Sequence, residues 1–560
     1  MSPSEHAAVK RGFFTIASKN YLPYARVLMR SVERWHPEAA RFVVLADAID
    51  GCFDPSLEPF QIVLSADLPI PESRWLHFRY TLLELNTAIK PFAMENLAVT
   101  YGLERMIYLD PDVKLYGSLE RVFELLDTSE IVLTPHLLDP LPTDGMYPSE
   151  SDIVRSGTYN LGFLAVNLLG GAKPFIRWWQ EKLRFGAFVD FARGTFTDQK
   201  WIDLVPGLFS GVHILREPGF NVAYWNILAR PITKGINCYC AGGQPLYFVH
   251  FSGFDPTSPE RFSRFQNRFL AGDLGEAREL ACEYAADLLA HGYEQCRSWR
   301  YAYGSFSNGE PISDVCRPYA DDVPGLTVRV DDPFSETGFR EYAAWWGEFV
   351  KRADGVTLTR LARRLYDESS DVRGRFPSLT GAEYRDFLEW FITTARTEYR
   401  ICDAILAPAR SLLLGWREAQ YCAPRETIER LFDRFPPAFR DELKAREIWR
   451  QVPYASPKEL VRWLNEPDEA AGTRLGALVL ESRPDLQQVF SGRRGGRHRF
   501  LLWLMSFGKY EYLLTEDLLE PVRGMVMKDW SGRAWQEKLD RLALLFRALT
   551  ITGRLCLRQR

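Results

Sequence analysis

The segment Tyr108-Leu109-Asp110-Pro111-Asp112 sets two carboxylates two residues apart, directly behind the apolar run Arg105–Leu109. Such a run reads as a buried strand, and in an open α/β sheet ligands bind at the carboxyl ends of the strands. Carboxylates placed there suit a hard divalent cation, Mg2+ or Mn2+, which keeps positions open for diphosphate oxygens. Asp and Pro are also common turn residues, so an acidic turn closing a strand is the plainer alternative. A second candidate ligand, His250, lies near the end of another apolar run, Pro245–Phe251 (PLYFVHF). Its neutral imidazole would complete a metal set; taken alone it reads as a satisfied core histidine.

These groups need a scaffold, and the chain has the pattern of one. The first 255 residues alternate short apolar runs with helical spacing, as an α/β domain does. Strands are expected over Arg11–Ser18, Arg41–Asp47, Gln61–Leu64, Arg105–Leu109, Ile131–Thr134, Leu161–Asn167 and Pro245–Phe251. Helices are expected over Pro23–Trp35, Tyr80–Thr100 and Pro174–Phe188. Past Glu260 the strand signals fade, except for the extended stretch Pro324–Pro333 (PGLTVRVDDP), and apolar positions recur at helical spacing. This later part repeats itself. Thr359–Asp371 (TRLARRLYDESSD) aligns with Thr473–Asp485 (TRLGALVLESRPD). Phe376, Phe387, Leu388, Trp390, Glu398 and Tyr399 then recur as Phe490, Phe500, Leu501, Trp503, Glu511 and Tyr512, with one residue deleted between the phenylalanines. Two copies are too few for a solenoid and predict a paired helical subdomain. The expected organisation is an α/β domain over 1–258, a helical connector over 259–330, and a helical domain over 331–560 with related modules at about 355–405 and 470–515.

Further motifs occur in a definite order around the two carboxylates. Thr15-Ile16-Ala17-Ser18-Lys19-Asn20-Tyr21 runs from the first strand into a loop, and Lys90 lies on the helix before Asp110. Asn160-Leu161-Gly162-Phe163, Thr197-Asp198-Gln199 and His250-Phe251-Ser252-Gly253 follow. In this order they resemble the motifs of GT-A glycosyltransferases, and most of all glycosyltransferase family 8, the group of glycogenin and the bacterial lipopolysaccharide galactosyltransferases. The resemblance covers a little under half the chain. It implies a Rossmann-like GT-A fold and transfer of a sugar from a nucleotide-diphosphate donor, a UDP-sugar, to an acceptor hydroxyl with retention of configuration. It implies Mn2+ or Mg2+ on Asp110, Asp112 and His250. Thr15, Ala17, Asn20 and Tyr21 would cradle base and ribose, with Lys90, Asp110 and Gly253 also at the donor. Asn160 and Asp198 would bond sugar hydroxyls, and Gln199 would sit at the reacting face of the anomeric carbon. By residue type alone, Lys90 also reads as a solvated helix face, Asn160 as a strand polar group, Asp198 as a helix N-cap and Tyr21 as core. The chain departs from the family after Gly253. Where a lysine usually meets the diphosphate it reads Phe254-Asp255-Pro256-Thr257, and the next bases are Arg261 and Arg264. That segment, with the helical extension, looks more like the large bacterial polysaccharide-type glycosyltransferases.

Composition narrows the partners. At 560 residues the chain exceeds a single core, and 46% hydrophobic with 25% charged residues is ordinary globular composition. A net charge of −4, from 69 basic and 73 acidic residues, supplies no bulk field for nucleic acid. The nine cysteines are scattered, with Cys238-Tyr239-Cys240 the one close pair, which fits a reducing cytoplasm better than a disulfide framework. No secretory h-region or membrane-spanning stretch is expected. The basic runs Ser491–Gly496 (SGRRGG) and Arg554–Arg560 (RLCLRQR) read as solvated, with at most weak peripheral contact to anionic lipid. Walker A, GxSxG and HExxH patterns are missing, so those hydrolase classes lack support. The expected partners are a nucleotide sugar and a glycan, lipid-linked or protein acceptor. Two other readings stay open at this point: a non-catalytic binding protein on a transferase fold, and a nucleotide-sugar hydrolase using the same metal.

Overall fold

The structure is a computed structural model that describes residues 10–236, 238–318, 330–419, 437, 440, 457–490, 496–512 and 514–528. The arginines at 493 and 494, the C-terminal run 554–560 and most of the extended stretch 324–333 lie outside the described residues. Contacts divide the chain into two compact units, Met1–Glu348 with Tyr399–Ile405, and Phe349–Glu398 with Leu406–Arg560.

The first unit is built on strands β1 (Arg11–Ala17), β2 (Ala40–Leu45), β3 (Gln61–Leu64), β4 (Arg105–Leu109), β6 (Ile131–Pro135) and β7 (Tyr159–Asn167), with the short pair strand β5 (Val113–Leu115) between β4 and β6. A further strand, Val212–Ile214, forms one edge of a seven-stranded sheet in the order Val212–Ile214, β6, β7, β4, β1, β2, β3. Every pairing is parallel except those of β7, which runs against both β4 and β6. Successive residues point to opposite faces, and both faces are covered, so the middle stretches of the central strands are mostly apolar. Phe13, Val43, Ile107 and Phe163 meet Leu22, Ala25, Leu28 and Val32 of helix Leu22–Trp35 on one side. Phe14, Phe42, Tyr108 and Leu164 meet Phe175, Trp179 and Leu183 of helix Ala172–Gly186 on the other. The expected helix over Tyr80–Thr100 is two helices, Leu82–Ala88 and Lys90–Tyr101. The second has Pro91 in its first turn and ends at Gly102 in the left-handed region, φ 66°.

The run Pro245–Phe251, expected as one strand, is divided: Gln244–Pro245 closes a three-stranded sheet, and Phe248–His250 pairs antiparallel with β5. Proline has no N–H to donate, which ends one ladder and frees the chain to enter the other. The edge strand Val212–Ile214 went unseen because three residues are too few to display a period. Residues 259–318 pack within the first unit: Tyr284 of helix Ala277–Ala290 stacks on Phe251 at 3.9 Å between ring centroids.

The second unit carries the repeat in three dimensions. Each copy opens with a small hairpin, Phe349–Lys351 with Thr357–Thr359 and Pro467–Asp468 with Gly472–Thr473. The hairpin's last threonine caps the next helix: Thr359 accepts from the Ala362 N–H at 3.3 Å and Thr473 from the Gly476 N–H at 3.2 Å. Helices Gly381–Trp390 and Gly496–Trp503 each run on into a wide π-type turn, Phe391–Ala395 and Leu504–Gly508. Phe376, Phe387 and Trp390 cluster in one copy, and Phe490, Phe500 and Trp503 in the other. The Phe387–Trp390 rings are 5.8 Å apart and the Phe500–Trp503 rings 5.9 Å. The likeness extends past the expected ends, because helices Asp403–Ala419 and Glu516–Lys528 each contain a proline, Pro408 and Pro521. Phe500 is fully buried among Gly476, Phe490 and Trp503. Its truncation to Ala should cost about 3–5 kcal/mol. Calorimetry should show an earlier transition for the helical unit with the transition of the α/β unit unmoved; a transition left in place would mean that these rings are not a shared core.

Candidate metal and donor site

The sheet collects polar residues along one edge. β1, β2, β4 and β6 end there with Ser18–Asn20, Asp47, Asp110 and His136, and the reversed β7 begins there with Asn160. Asp110 is tied to β7 by its own N–H, which donates to the Gly162 carbonyl at 2.9 Å. The short pair of β5 with Phe248–His250 then sets His250 opposite Val113, and the Phe251 N–H donates to the Asp112 carbonyl at 2.8 Å.

This brings three expected ligands together. One ligand atom from each of Asp110, Asp112 and His250 lies within 4.8 Å of the others. His250 Nε2 is 3.1 Å from Asp112 Oδ1 and 3.7 Å from Asp110 Oδ2. The carboxylate side chains are 29% and 20% exposed and the imidazole 4%. Two hard oxygens facing solvent and one buried nitrogen fit a divalent cation that keeps an open side. Burial opposes a charge on His250, but Asp112 and Asp110 outweigh it and hold its pKa above the ordinary value. The Tyr108 hydroxyl donates to Asp110 Oδ1 at 2.5 Å, and burial with that carboxylate's charge keeps the phenol protonated.

Behind the carboxylates lies a buried ion cluster. Lys90 Nζ is 2.8 Å from Asp198 Oδ2 and 3.6 Å from Asp110 Oδ1, donates to the Leu161 carbonyl at 2.9 Å, and sits 4.3 Å from the centre of the Tyr108 ring. Burial pulls the lysine pKa down, and the two carboxylates raise it above its usual value. Burial raises the Asp198 pKa, against the pull of Lys90. Lys90 is therefore no solvated helix residue, and Asp198 makes no side-chain cap to the helix that follows.

The opening loop is arranged less directly. Thr15 is fully buried and its hydroxyl has no partner among the described residues. Ala17 uses its carbonyl to accept from the Ala46 N–H at 2.9 Å. Asn20 Oδ1 accepts from the Ser18 hydroxyl at 2.5 Å. Tyr21 is 39% exposed, stacks on Tyr24 at 4.6 Å, and feels the charges of Asp112 and Arg264. Gly253 takes φ 73° and makes the turn against which Phe265 packs; Arg264 donates its backbone N–H to the Gly253 carbonyl at 3.1 Å.

Asn160 and Gln199 do not meet open space. Asn160 is 7% exposed and Gln199 8%. Gln199 Oε1 accepts from the Leu161 N–H at 3.1 Å, and its Nε2 donates to the Ser156 carbonyl at 3.0 Å. Asn160 Oδ1 lies 3.1 Å from His250 Nδ1, and its Nδ2 lies 3.3 Å from Gln199 Oε1 and 3.2 Å from His136 Nε2. Both amides are bonded to protein in this arrangement, where the family resemblance implies sugar contacts. His136 and Asn221, which donates to Asn160 Oδ1 at 3.0 Å, belong to this network and were not picked out from sequence. His136 closes an apolar run just as Asp110 does, which was a usable signal; Asn221 lies in a loop without one. Lys19, buried between Asp47 at 3.3 Å and Asp50, was legible as a base inside the TIASKNY segment facing the Asp that ends RFVVLAD. Gly162 lets the imidazole lie against the β7 backbone, since a Cβ there would fall inside the His250 ring and against Asn160. Gly162→Ala should therefore weaken Mn2+ binding about tenfold or more with the fold retained. Titration followed by electron paramagnetic resonance checks this; unchanged affinity would show that the ring is not held there.

No family model matches the chain. It is 29% identical to the uncharacterized protein YfnD of Bacillus subtilis over 256 residues, 45% of this chain and 80% of that protein. It is 25% identical to the uncharacterized protein YfnF of the same organism over 285 residues, 50% and 93% of the two chains. A structure of the galactosyltransferase LgtC in complex with donor and acceptor sugar analogs is 17% identical, covers 49% of this chain and 95% of its own, and has a TM-score of 0.28. The first unit has a Rossmann-like mixed sheet with carboxylates at its carboxyl edge, which is the arrangement that the motif resemblance implies.

Proposed function

We propose that the protein is a metal-dependent glycosyltransferase that moves a sugar, with retention, from a nucleoside diphosphate to an acceptor hydroxyl on a glycan, lipid-linked or protein acceptor. UDP as the nucleotide follows from the motif resemblance alone. The observation that carries the reading is the convergence of Asp110, Asp112 and His250 on one open-sided cluster at the sheet edge, 3.6 Å from a lysine that also holds Asp198. Asp110, Asp112 and His250 would hold Mn2+ or Mg2+, which when bound stabilises charge developing on the departing diphosphate. Asn20 and Tyr21 would meet the nucleoside. Arg264, exposed and close enough to act on Tyr21, is the base placed to meet the diphosphate where the usual lysine is missing. Asp198 would bond a sugar hydroxyl, with Lys90 pulling its pKa down against the effect of burial. Neither Asp198, tied to Lys90, nor Gln199, whose amide is spent, stands as a free nucleophile, which favours a front-face displacement. A cytoplasmic site of action belongs to the same proposal. Among the described residues no helix is long and apolar enough to cross a membrane.

Chelation should abolish turnover of a nucleotide-sugar panel, read as slow hydrolysis without acceptor, and Mn2+ or Mg2+ should restore it. Asp112→Asn should lose roughly a hundredfold or more in rate while unfolding at the wild-type temperature. Full activity in chelator would sink the metal-dependent reading.

Lys90→Met tests the ion cluster. Burial already holds the Asp198 pKa high, and Lys90 is the main group that lowers it. Without Lys90 the pKa rises further, so the acid limb of the rate profile should move to higher pH. A lower rate with that limb in place would make Lys90 purely architectural.

A further inference from the structure

We infer that Asn221 and Asn160 are positioning residues for the metal cluster: together they decide which nitrogen of His250 carries its proton, and so leave Nε2 as the ligand. The inference rests on the proposed metal role of Asp110, Asp112 and His250, and concerns residues that do not touch the cation.

The two ring nitrogens of His250 face different partners, Nε2 toward Asp112 Oδ1 at 3.1 Å and Nδ1 toward Asn160 Oδ1 at 3.1 Å. An amide can present either its oxygen or its nitrogen, so the sense of the Asn160 side chain must be settled by its neighbours. A group that can only donate settles one end: the Gly162 N–H reaches Asn160 Oδ1 at 3.2 Å. With that atom fixed as oxygen, Asn221 must turn its own nitrogen toward it, and Asn221 Nδ2 lies 3.0 Å away. Groups that accept settle the other end. Asn160 Nδ2 faces Gln199 Oε1, itself identified as oxygen by the Leu161 N–H. It also faces His136 Nε2, while His136 Nδ1 lies 3.3 Å from the Thr158 carbonyl. Burial pushes the His136 pKa down to about 4, so that ring is neutral with its proton toward the carbonyl.

An amide oxygen cannot donate. His250 Nδ1 must therefore carry the hydrogen of that contact, and once a cation stands between Nε2 and the carboxylates the ring offers it the Nε2 lone pair. Asn221 is held for this work under strain. It has φ 53°, a region that Asn tolerates better than most non-glycine residues, and is 1% exposed. Its Nδ2 has one other acceptor, Thr134 Oγ1 at 2.8 Å. The residue thus gives its amide to the His250 support and not to the surface.

The experiment uses the full chain with 15N-labelled histidine, with His250 assigned by substitution, and Mn2+ binding followed by electron paramagnetic resonance. In protein loaded with diamagnetic Mg2+ the His250 ring should carry its proton on Nδ1. Asn221→Gly, which suits the backbone angle and removes the side chain with its amide, should weaken Mn2+ binding about 10- to 100-fold and mix the two His250 tautomers. A wild-type ring protonated on Nε2 would overturn the inference without reference to any variant. Wild-type affinity in a folded Asn221→Gly protein would overturn it too, and in both cases the metal reading would stand. Failure of the wild type to bind Mn2+ would overturn the metal reading and this inference with it.

Discussion

A lysine ammonium with 2% exposure has lost nearly all its water, and the carboxylates around it must replace that hydration. Lys90 meets this constraint with Asp198, Asp110 and the Leu161 carbonyl, each delivered by a different part of the chain. The lysine comes from the start of a helix, Asp110 from the end of β4, Leu161 from the reversed strand β7, and Asp198 from the segment before helix Gln199–Ile202. Displacing Lys90 or Asp198 would leave the other buried charge without its nearest partner. The rest of the candidate site is arranged around this cluster: Asp110 faces Lys90 with one oxygen and the metal position with the other.

The reversal of β7 is what makes this possible. A strand parallel to β4 would carry its amino end, with Asn160 and Gly162, to the opposite edge of the sheet. Running antiparallel, β7 delivers both to the edge where β4 and β6 end. The small ladder of β5 with Phe248–His250 performs the complementary task and brings an imidazole from late in the unit to the carboxylates. Sheet register, and not loop conformation, thus positions both sides of the cluster, which suits a site that must hold geometry to fractions of an ångström.

The helical unit follows a different logic. Its two copies keep the capping threonine, the Phe-Phe-Trp cluster and the wide turn behind it, while their surface chemistry diverges. Arg483 pairs with Asp485 and Glu511 in the second copy, whereas Ser369 caps Val372 at the corresponding place in the first. Packing groups repeat because the folded module requires them; Asp371 and Glu398 also recur as Asp485 and Glu511, but the arginine that joins the later pair has no counterpart at Ser369.

The α/β order of the first half, the two strand-end carboxylates, the helical repeat and the histidine that joins the cluster were all readable along the chain. Each is a local signal: an apolar period, a polar residue closing an apolar run, or a segment recurring with its aromatic positions. Other features had no such signal. Nothing near Asn221 distinguishes it from a loop asparagine, and nothing at Asn160 or Gln199 reveals that both amides are spent on backbone and on one another. The division of the chain after Glu348, and the pairing of His250 with β5 in place of the main sheet, depend on contacts between segments far apart in sequence. The sequence by itself determined which residue types stand at the ends of strands, because burial and period act on neighbours. Only the tertiary structure decided which of them share a proton, a cation or a carbonyl, because hydrogen bonds are made over three ångströms of space and leave no period in the chain.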